Sequence, residues 1–457
     1  MSFMQKAYIN ALLADASYVE SLKTGEINAG DFEKRLSETQ ANYLAANFTI
    51  LSSVESSKPL GNGFDAVVWQ GKAGTPYAGQ VYVSMRGTQG LEDIADDVGL
   101  AAAGVPITQI VDMVNWWLRV KTPVGEQSQQ IQFQTQSGYT LAASVAGTGE
   151  VSTATSITSV NGHSLGGYLT TAFTRLFGNQ AGVQSVSTFN SAGFSNAAAF
   201  NIQSSYDQIA NVLGLNGSFV GTGAKQTNYF GANGIEFTTN SLGDMRLPGF
   251  NQYGSRTGLE QEAVLSGGAD RVIANHYMYK LTDYLALGAV LEKLDPSLNF
   301  DKLNTMIKAG SNDMAASYEG VFDAVRKILA GPNVEALPIG DVSGNASSRG
   351  TYHATLEAFQ NNPLVKGLGD QLLIRSASTD LRTAARTNFG ALIALQDLSP
   401  LWIAGKDAAA DAQLTAIWQS SRSADYVAWE SDKSSATPAT FSNQWIADPC
   451  RNAGQTD

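Results

Sequence analysis

Apolar residues recur along this chain with two different periods. Tyr8, Leu12 and Leu13, then Phe32, Leu36, Tyr43 and Leu44, fall on helical faces and predict helices over about 4–22 and 31–47. Gly30-Asp31 supplies the break and a cap between them. Two strands follow at 64–70 and 80–85, separated by turn residues Gly74 to Pro76, and are expected to pair as a hairpin. Ile107, Ile110, Val111, Val114, Trp117 and Leu118 return to helical spacing, with Trp116 alongside. The Gln- and Ser-rich stretch 127–138 fits neither period cleanly, and 140–145 reads as helical. Next come a strand ending near Gly162, a helix through Leu165, Leu169, Phe173 and Leu176, a strand over 183–190 and a helix over 197–213. Phe219-Val220 and 226–230 read as further strands. Strand, helix, strand, insert, strand is the order of a doubly wound α/β sheet.

The pattern changes at about residue 298. Met314, Val321, Phe322, Val325, Ile328 and Leu329 form one helical stripe, and helices are expected at about 351–360, 379–396 and 408–420. Gly340 to Gly350 reads as a loop and a candidate boundary. With no strong strand signal beyond it, three parts are expected. They are an N-terminal helical segment over 1–60, an α/β core over 61–297, and a helical C-terminal subdomain over 298–457. No calcium-binding Gly-Asp repeat array is present in that last part.

Charge narrows the function classes. The net charge of −12 leaves no basic face to neutralise phosphates, which argues against nucleic acid and against nonspecific attraction to anionic membranes. The single cysteine, Cys450, allows no intrachain disulfide. No run of about 20 apolar residues predicts a membrane span. The first 20 residues lack a basic stretch followed by an apolar core, so they do not read as a secretory signal. The expected location is therefore either outside the cell by a route needing no N-terminal signal, or the cytoplasm.

The chemistry concentrates at Ser156–Gly167. A β-branched run ends in Asn161-Gly162, Ser164 sits at the break, and an amphipathic helix starts at Leu165. A strand, a sharp turn and a helix, with Gly two positions either side of a serine, form a nucleophile elbow. The strained turn lifts the serine hydroxyl out of the fold, and side chains at 162 and 166 would collide there. Upstream, the strand 80–85 runs into Arg86-Gly87-Thr88, a turn after an early strand. Thr88 and Leu165 are placed in sequence to give the two N–H donors that an oxyanion needs.

A serine nucleophile needs a base, and the chain has three histidines. His163 adjoins the serine and leaves the turn in the wrong direction. His276 directly precedes a helix (Met278, Leu281, Tyr284, Leu285), the expected place for a base, whereas His353 lies far downstream in a helical region. The orienting carboxylate belongs on a loop between Ser164 and His276. Asp207, Glu236, Asp244, Glu260, Glu262 and Asp270 are the candidates. Asp207 falls in a helix, and Asp270 is close to His276 in sequence.

Val83-Ser84-Met85-Arg86-Gly87-Thr88 and Gly162-His163-Ser164-Leu165-Gly166-Gly167, in this order, resemble the oxyanion strand and nucleophile box of class 3 lipases. That family includes fungal triacylglycerol lipases and bacterial lipases and phospholipases A1. The resemblance covers about 60–290, and Met85 stands where the family carries an aromatic residue. It implies an α/β-hydrolase fold and a lipid carboxylic ester hydrolase with a Ser164–His276–acid triad. The spacing of Ser164 from His276 is also similar to the family's. Asp244, in Asp244-Met245-Arg246-Leu247-Pro248, resembles the family's acid loop, with Glu236 as the alternative and Asn233 as an acid-less one. The resemblance further implies a lid over about 91–121, where Trp116 and Trp117 would meet an oil–water interface. The same periodicity fits a core helix. This chemistry requires no metal or organic cofactor, and a structural calcium is compatible with it. The expected partner is lipid at an oil–water or membrane surface. The competing expectation is a non-catalytic, adhesin-like interaction module on a hydrolase scaffold that has lost its acid.

Overall fold

The computed structural model describes residues 1–55, 64–87, 107–195, 202–215, 223–233, 235–236, 241–242, 245–246, 250–262, 276–310, 317–338, 349–377 and 381–433. Along the chain these form α1 (Phe3–Ala16), β1 (Gly25–Glu26), α2 (Glu38–Asn47), β2 (Phe48–Glu55), β3 (Asp65–Gly71), β4 (Val81–Met85) and α3 (Ile107–Lys121). Then come β5 (Gln127–Gln134), β6 (Gly138–Ala146), β7 (Ser159–His163), α4 (Leu165–Phe177), β8 (Ser185–Phe189), α5 (Ile202–Leu213), β9 (Gln226–Gly231) and β10 (Ser255–Leu259). Two-residue strands at 194–195, 235–236, 241–242, 245–246 and 250–251 pair outside the main sheet.

The main sheet has eight strands among the described residues, in the order β1-β2-β3-β4-β7-β8-β9-β10. Its first four strands pair antiparallel, and β4-β7-β8-β9-β10 are parallel. Every residue of β4 and β7 is buried, because helices cover both faces of a parallel sheet. On one face α3 and α4 pack Trp117, Phe173 and Phe177 over Val83 and Val160. On the other, α1 lies beside α6 (Met278–Leu294) and covers Phe189 and Tyr229. This is the doubly wound α/β-hydrolase architecture, with a mainly helical C-terminal region.

Several expectations are corrected. α1 stops at Ala16, and Phe48–Glu55 is a strand. The stretch read as helical at 140–145 is β6, paired antiparallel with β5. Gly138, at φ +72°, turns the chain so that Tyr139 lies opposite Phe133. The expected lid helix is α3, and its Trp116 and Trp117 are buried. Trp117 meets Phe173 at a ring distance of 4.8 Å, so its ring packs against α4. The remainder of the expected lid, 91–106, lies outside the described residues.

The C-terminal region comprises α7 (Phe300–Ala309), α8 (Ser317–Ala330), α9 (Gly350–Asn361), α10 (Pro363–Leu368), β11 (Leu372–Ser376), α11 (Leu381–Ala385), α12 (Phe389–Gln396), β12 (Leu401–Gly405), α13 (Ala408–Ser421) and α14 (Ser423–Lys433). It is not purely helical: β11 and β12 form an antiparallel ribbon. The helix expected over 379–396 breaks at Asn388, whose side chain accepts from Ala391 N–H and starts α12 afresh. One apolar core runs from α1 and α6 through Val321, Phe322 and Leu392 to Trp418. Among the described residues no helix is long and apolar enough to cross a membrane.

Candidate active site

Ser164 sits between β7 and α4 with φ 58° and ψ −130°, a conformation that a non-glycine residue adopts only when its surroundings impose it. They do so here on three sides. Ser164 N–H donates to the Phe189 carbonyl at 3.0 Å, and the Ser164 carbonyl accepts from Gly167 N–H at 3.0 Å and Ala192 N–H at 3.2 Å. The flanking glycines have no room for a side chain. A Cβ on Gly162 would stand 2.6 Å from Thr170 Oγ1, and one on Gly166 would stand 2.8 Å from Gly87 N.

The end of β4 passes directly against this turn. A Cβ on Gly87 would approach Ser164 Cβ to 3.0 Å. Arg86 is buried beneath it and ion-paired with Asp65, fixing the strand end where it meets the elbow. Leu165 opens α4, so its N–H is among the first-turn amides that have no acceptor inside the helix. Their dipoles favour a developing anion at this end. Thr88, the other expected oxyanion donor, lies outside the described residues.

His276 and the elbow are brought together through His163. The His163 Nε2 lies 2.8 Å from the His276 carbonyl. A carbonyl only accepts, so Nε2 carries the proton and Nδ1 is left as an acceptor. It accepts from Tyr18 OH at 2.9 Å. The same hydroxyl accepts from Gly87 N–H at 3.1 Å. Tyr18 therefore links the strand end beside Ser164 to His163, the residue before it. The two imidazoles lie with ring centroids 4.6 Å apart. Burial, and then the proximity of His276, pushes the His163 pKa well below the ordinary imidazole range, so His163 stays neutral. Burial pushes the Tyr18 hydroxyl up to about 12, which keeps its proton on. Asn190, at φ 41°, adds a third hold: its Nδ2 lies 3.4 Å from the His276 carbonyl, and its Oδ1 accepts from Gly231 N–H at 3.1 Å.

The remaining histidine has a different setting. His353 Nδ1 is 2.8 Å from Ser37 Oγ, and its Nε2 is 2.6 Å from Asp283 Oδ1. By distance this is a Ser–His–Asp chain. Ser37, however, is the buried N-cap of α2, accepting from Gln40 N–H in a capping box, with ordinary extended backbone. The arrangement is structural.

Of the acid candidates, Asp244 and Asp270 lie outside the described residues, as does the side chain of Glu236. Asp207 lies on α5 as expected. Glu260 pairs with Lys308 at 3.3 Å and Glu262 with Arg349 at 3.3 Å. Asn233 is tied to Gln261, accepting from its N–H and donating to its carbonyl. Tyr18 and Asn190 went unsignalled in the sequence, because neither carries a local motif.

No protein-family model matches the sequence, and no curated protein does. Among solved structures the chain is similar to the Lip2 lipase from Yarrowia lipolytica, at 13% identity and a TM-score of 0.29, over 59% of this chain and 82% of that one. The nonglycosylated form of the same lipase gives 14% identity and a TM-score of 0.30, over 58% and 81%.

Proposed function

We propose that this chain is a serine-dependent carboxylic ester hydrolase acting on lipid esters, as a triacylglycerol lipase or phospholipase A1. The observation that carries the reading is Ser164 at φ 58°, forced into its turn between a buried parallel strand and a helix start. In this reading Ser164 Oγ attacks the acyl carbonyl, and its proton passes to His276. The C–O bond to the leaving alcohol breaks as His276 returns that proton to the alcohol. Water, deprotonated by His276, then releases the fatty acid and restores Ser164. The N–H groups of Leu165 and Thr88 receive the oxyanion, and Asp244 orients the imidazole. No metal or organic cofactor is assigned a step.

Labelling with a fluorophosphonate, followed by peptide mapping, is the direct test. Ser164 is expected to be the modified residue. Turnover of phosphatidylcholine vesicles and of an olive-oil emulsion is expected to vanish in Ser164→Ala, and a variant that retains turnover would sink the mechanism. Absence of labelling in detergent would instead favour a non-catalytic module.

A further inference from the structure

The C-terminal region meets the core through a group of buried charges centred on Arg349. Its guanidinium is fully buried, with Nε 2.7 Å from Asp283 Oδ2, and Nη1 3.0 Å from Glu319 Oε1 and 3.3 Å from Glu262 Oε2. The positions of these partners matter. Glu262 follows β10 and is the last described residue before the chain reaches His276, and Asp283 lies in the second turn of α6, just beyond that histidine. One side chain from the C-terminal region thus holds both flanks of the segment that delivers His276. Lys280 reinforces the closure, its Nζ donating to the Glu262 carbonyl at 2.9 Å. Tyr318 N–H donates to Glu262 Oε1 at 3.0 Å, tying α8 to the same point.

We infer that Arg349 is a positioning residue for the histidine base: by bridging Glu262 and Asp283 it fixes where α6 begins and hence where His276 meets the elbow. This rests on the reading of His276 as the base. The physical reason is the shape of the group. A guanidinium presents a rigid fork to several carboxylates at once, which an ammonium on a flexible stem does not. Buried carboxylates without their cation would separate or draw in water and protons. Burial and the neighbouring Glu319 already hold the Glu262 carboxyl well above the usual carboxylate range, so the group is balanced around this one arginine. Reaction rate responds steeply to small displacements of a base.

The test compares Arg349→Lys and the charge-balanced pair Arg349→Met/Glu319→Gln with the intact chain. Arg326→Met serves as control, since Arg326 pairs with Asp323 on α8 instead. Three quantities are read: the thermal midpoint, the rate of fluorophosphonate capture together with kcat and KM on a short-chain ester, and hydrogen exchange over α6 and α4. Folded Arg349 variants are expected to capture the label about tenfold more slowly, with kcat lowered and KM nearly unchanged. Exchange in the first turns of α6 is expected to quicken while α4 stays as it was, with Arg349→Lys the milder of the two. Wild-type rates in a folded variant would overturn the inference, and so would unchanged exchange in α6. Failure of both variants to fold would make Arg349 a stability residue only, which also overturns it. An intact chain that takes no label would instead overturn the reading of Ser164 and His276, and the exchange measurement would still decide the clamp.

Discussion

At the residue scale, the turn that carries Ser164 was legible because everything that defines it is local. Gly162, Ser164 and Gly166 lie within five positions, and the steric need for each is a property of the turn. The residues that steady it were not legible. Tyr18 and His163 are 145 positions apart, and nothing in the tyrosine's own neighbourhood marks it. His163 leaves the turn away from the place of a base, and that direction is what lets its ring reach the His276 carbonyl. Removing the Tyr18 hydroxyl tests this. In Tyr18→Phe, His163 Nδ1 loses its donor and Gly87 N–H its acceptor, both in buried surroundings. A cost of about 1–3 kcal/mol in stability is expected for groups left unsatisfied. A kcat lower by about tenfold with KM little changed is expected if the strand end and the histidine both drift. Urea denaturation and ester kinetics on the same preparation check the two parts. An unchanged kcat would leave Tyr18 a packing residue.

At the element scale, the parallel strands and the helix after Ser164 were readable from runs of β-branched residues and from helical spacing. Elements whose state depends on a partner were not. Residues 140–145 read as helical, with Ala142 and Ala143 favouring helix, yet the pairing of β6 with β5 decides the matter. α3 is the sharper case. A 15-residue helix with one apolar stripe has the same sequence whether the stripe faces lipid or a neighbouring helix. The structure places Trp117 at 3% exposure against Phe173 and Phe177 of α4. Trp117→Ala is therefore expected to cost about 3–5 kcal/mol in unfolding free energy, the range for deleting a large buried aromatic side chain. An exposed lid residue would behave differently: stability would hold and activity at an oil–water interface would fall. Chemical denaturation read by circular dichroism separates the two, and a loss below about 1 kcal/mol would contradict the core assignment.

At the scale of the whole molecule, the division near residue 298 is a change in sequence pattern and not a break in packing. The core of α6 continues into α8, α12 and α13. At that junction, among the described residues, the buried side chains of Glu262, Lys280, Asp283, Glu319, Arg349 and His353 meet. The first and last of them lie 91 positions apart and they follow no period, so no pattern in the chain foretells the group. Its titration should be visible in stability. Burial, and then Glu319, raises the Glu262 pKa well above its ordinary value, so above the usual glutamate range the folded chain keeps a proton that the unfolded chain gives up. Stability from this group is then complete at acid pH and is lost as pH rises towards the raised value. Burial lowers the Lys280 pKa to about 8, and there the sign reverses: above that pH the unfolded chain holds the extra proton, and stability recovers part of the loss. The clean window is thus from about pH 5, just above the ordinary glutamate pKa, up to the Lys280 value. Glu262→Gln replaces a protonated carboxyl by an amide of the same shape that cannot ionise. The wild type's unfolding free energy minus the variant's should fall as pH rises across that window, since the opposite contribution of the depressed His163 is common to both chains, with the two nearest each other at the acid end. Urea titrations at closely spaced pH values measure the slopes. Parallel slopes would mean that Glu262 is already ionised in the fold, held there by Arg349 and Lys280 together.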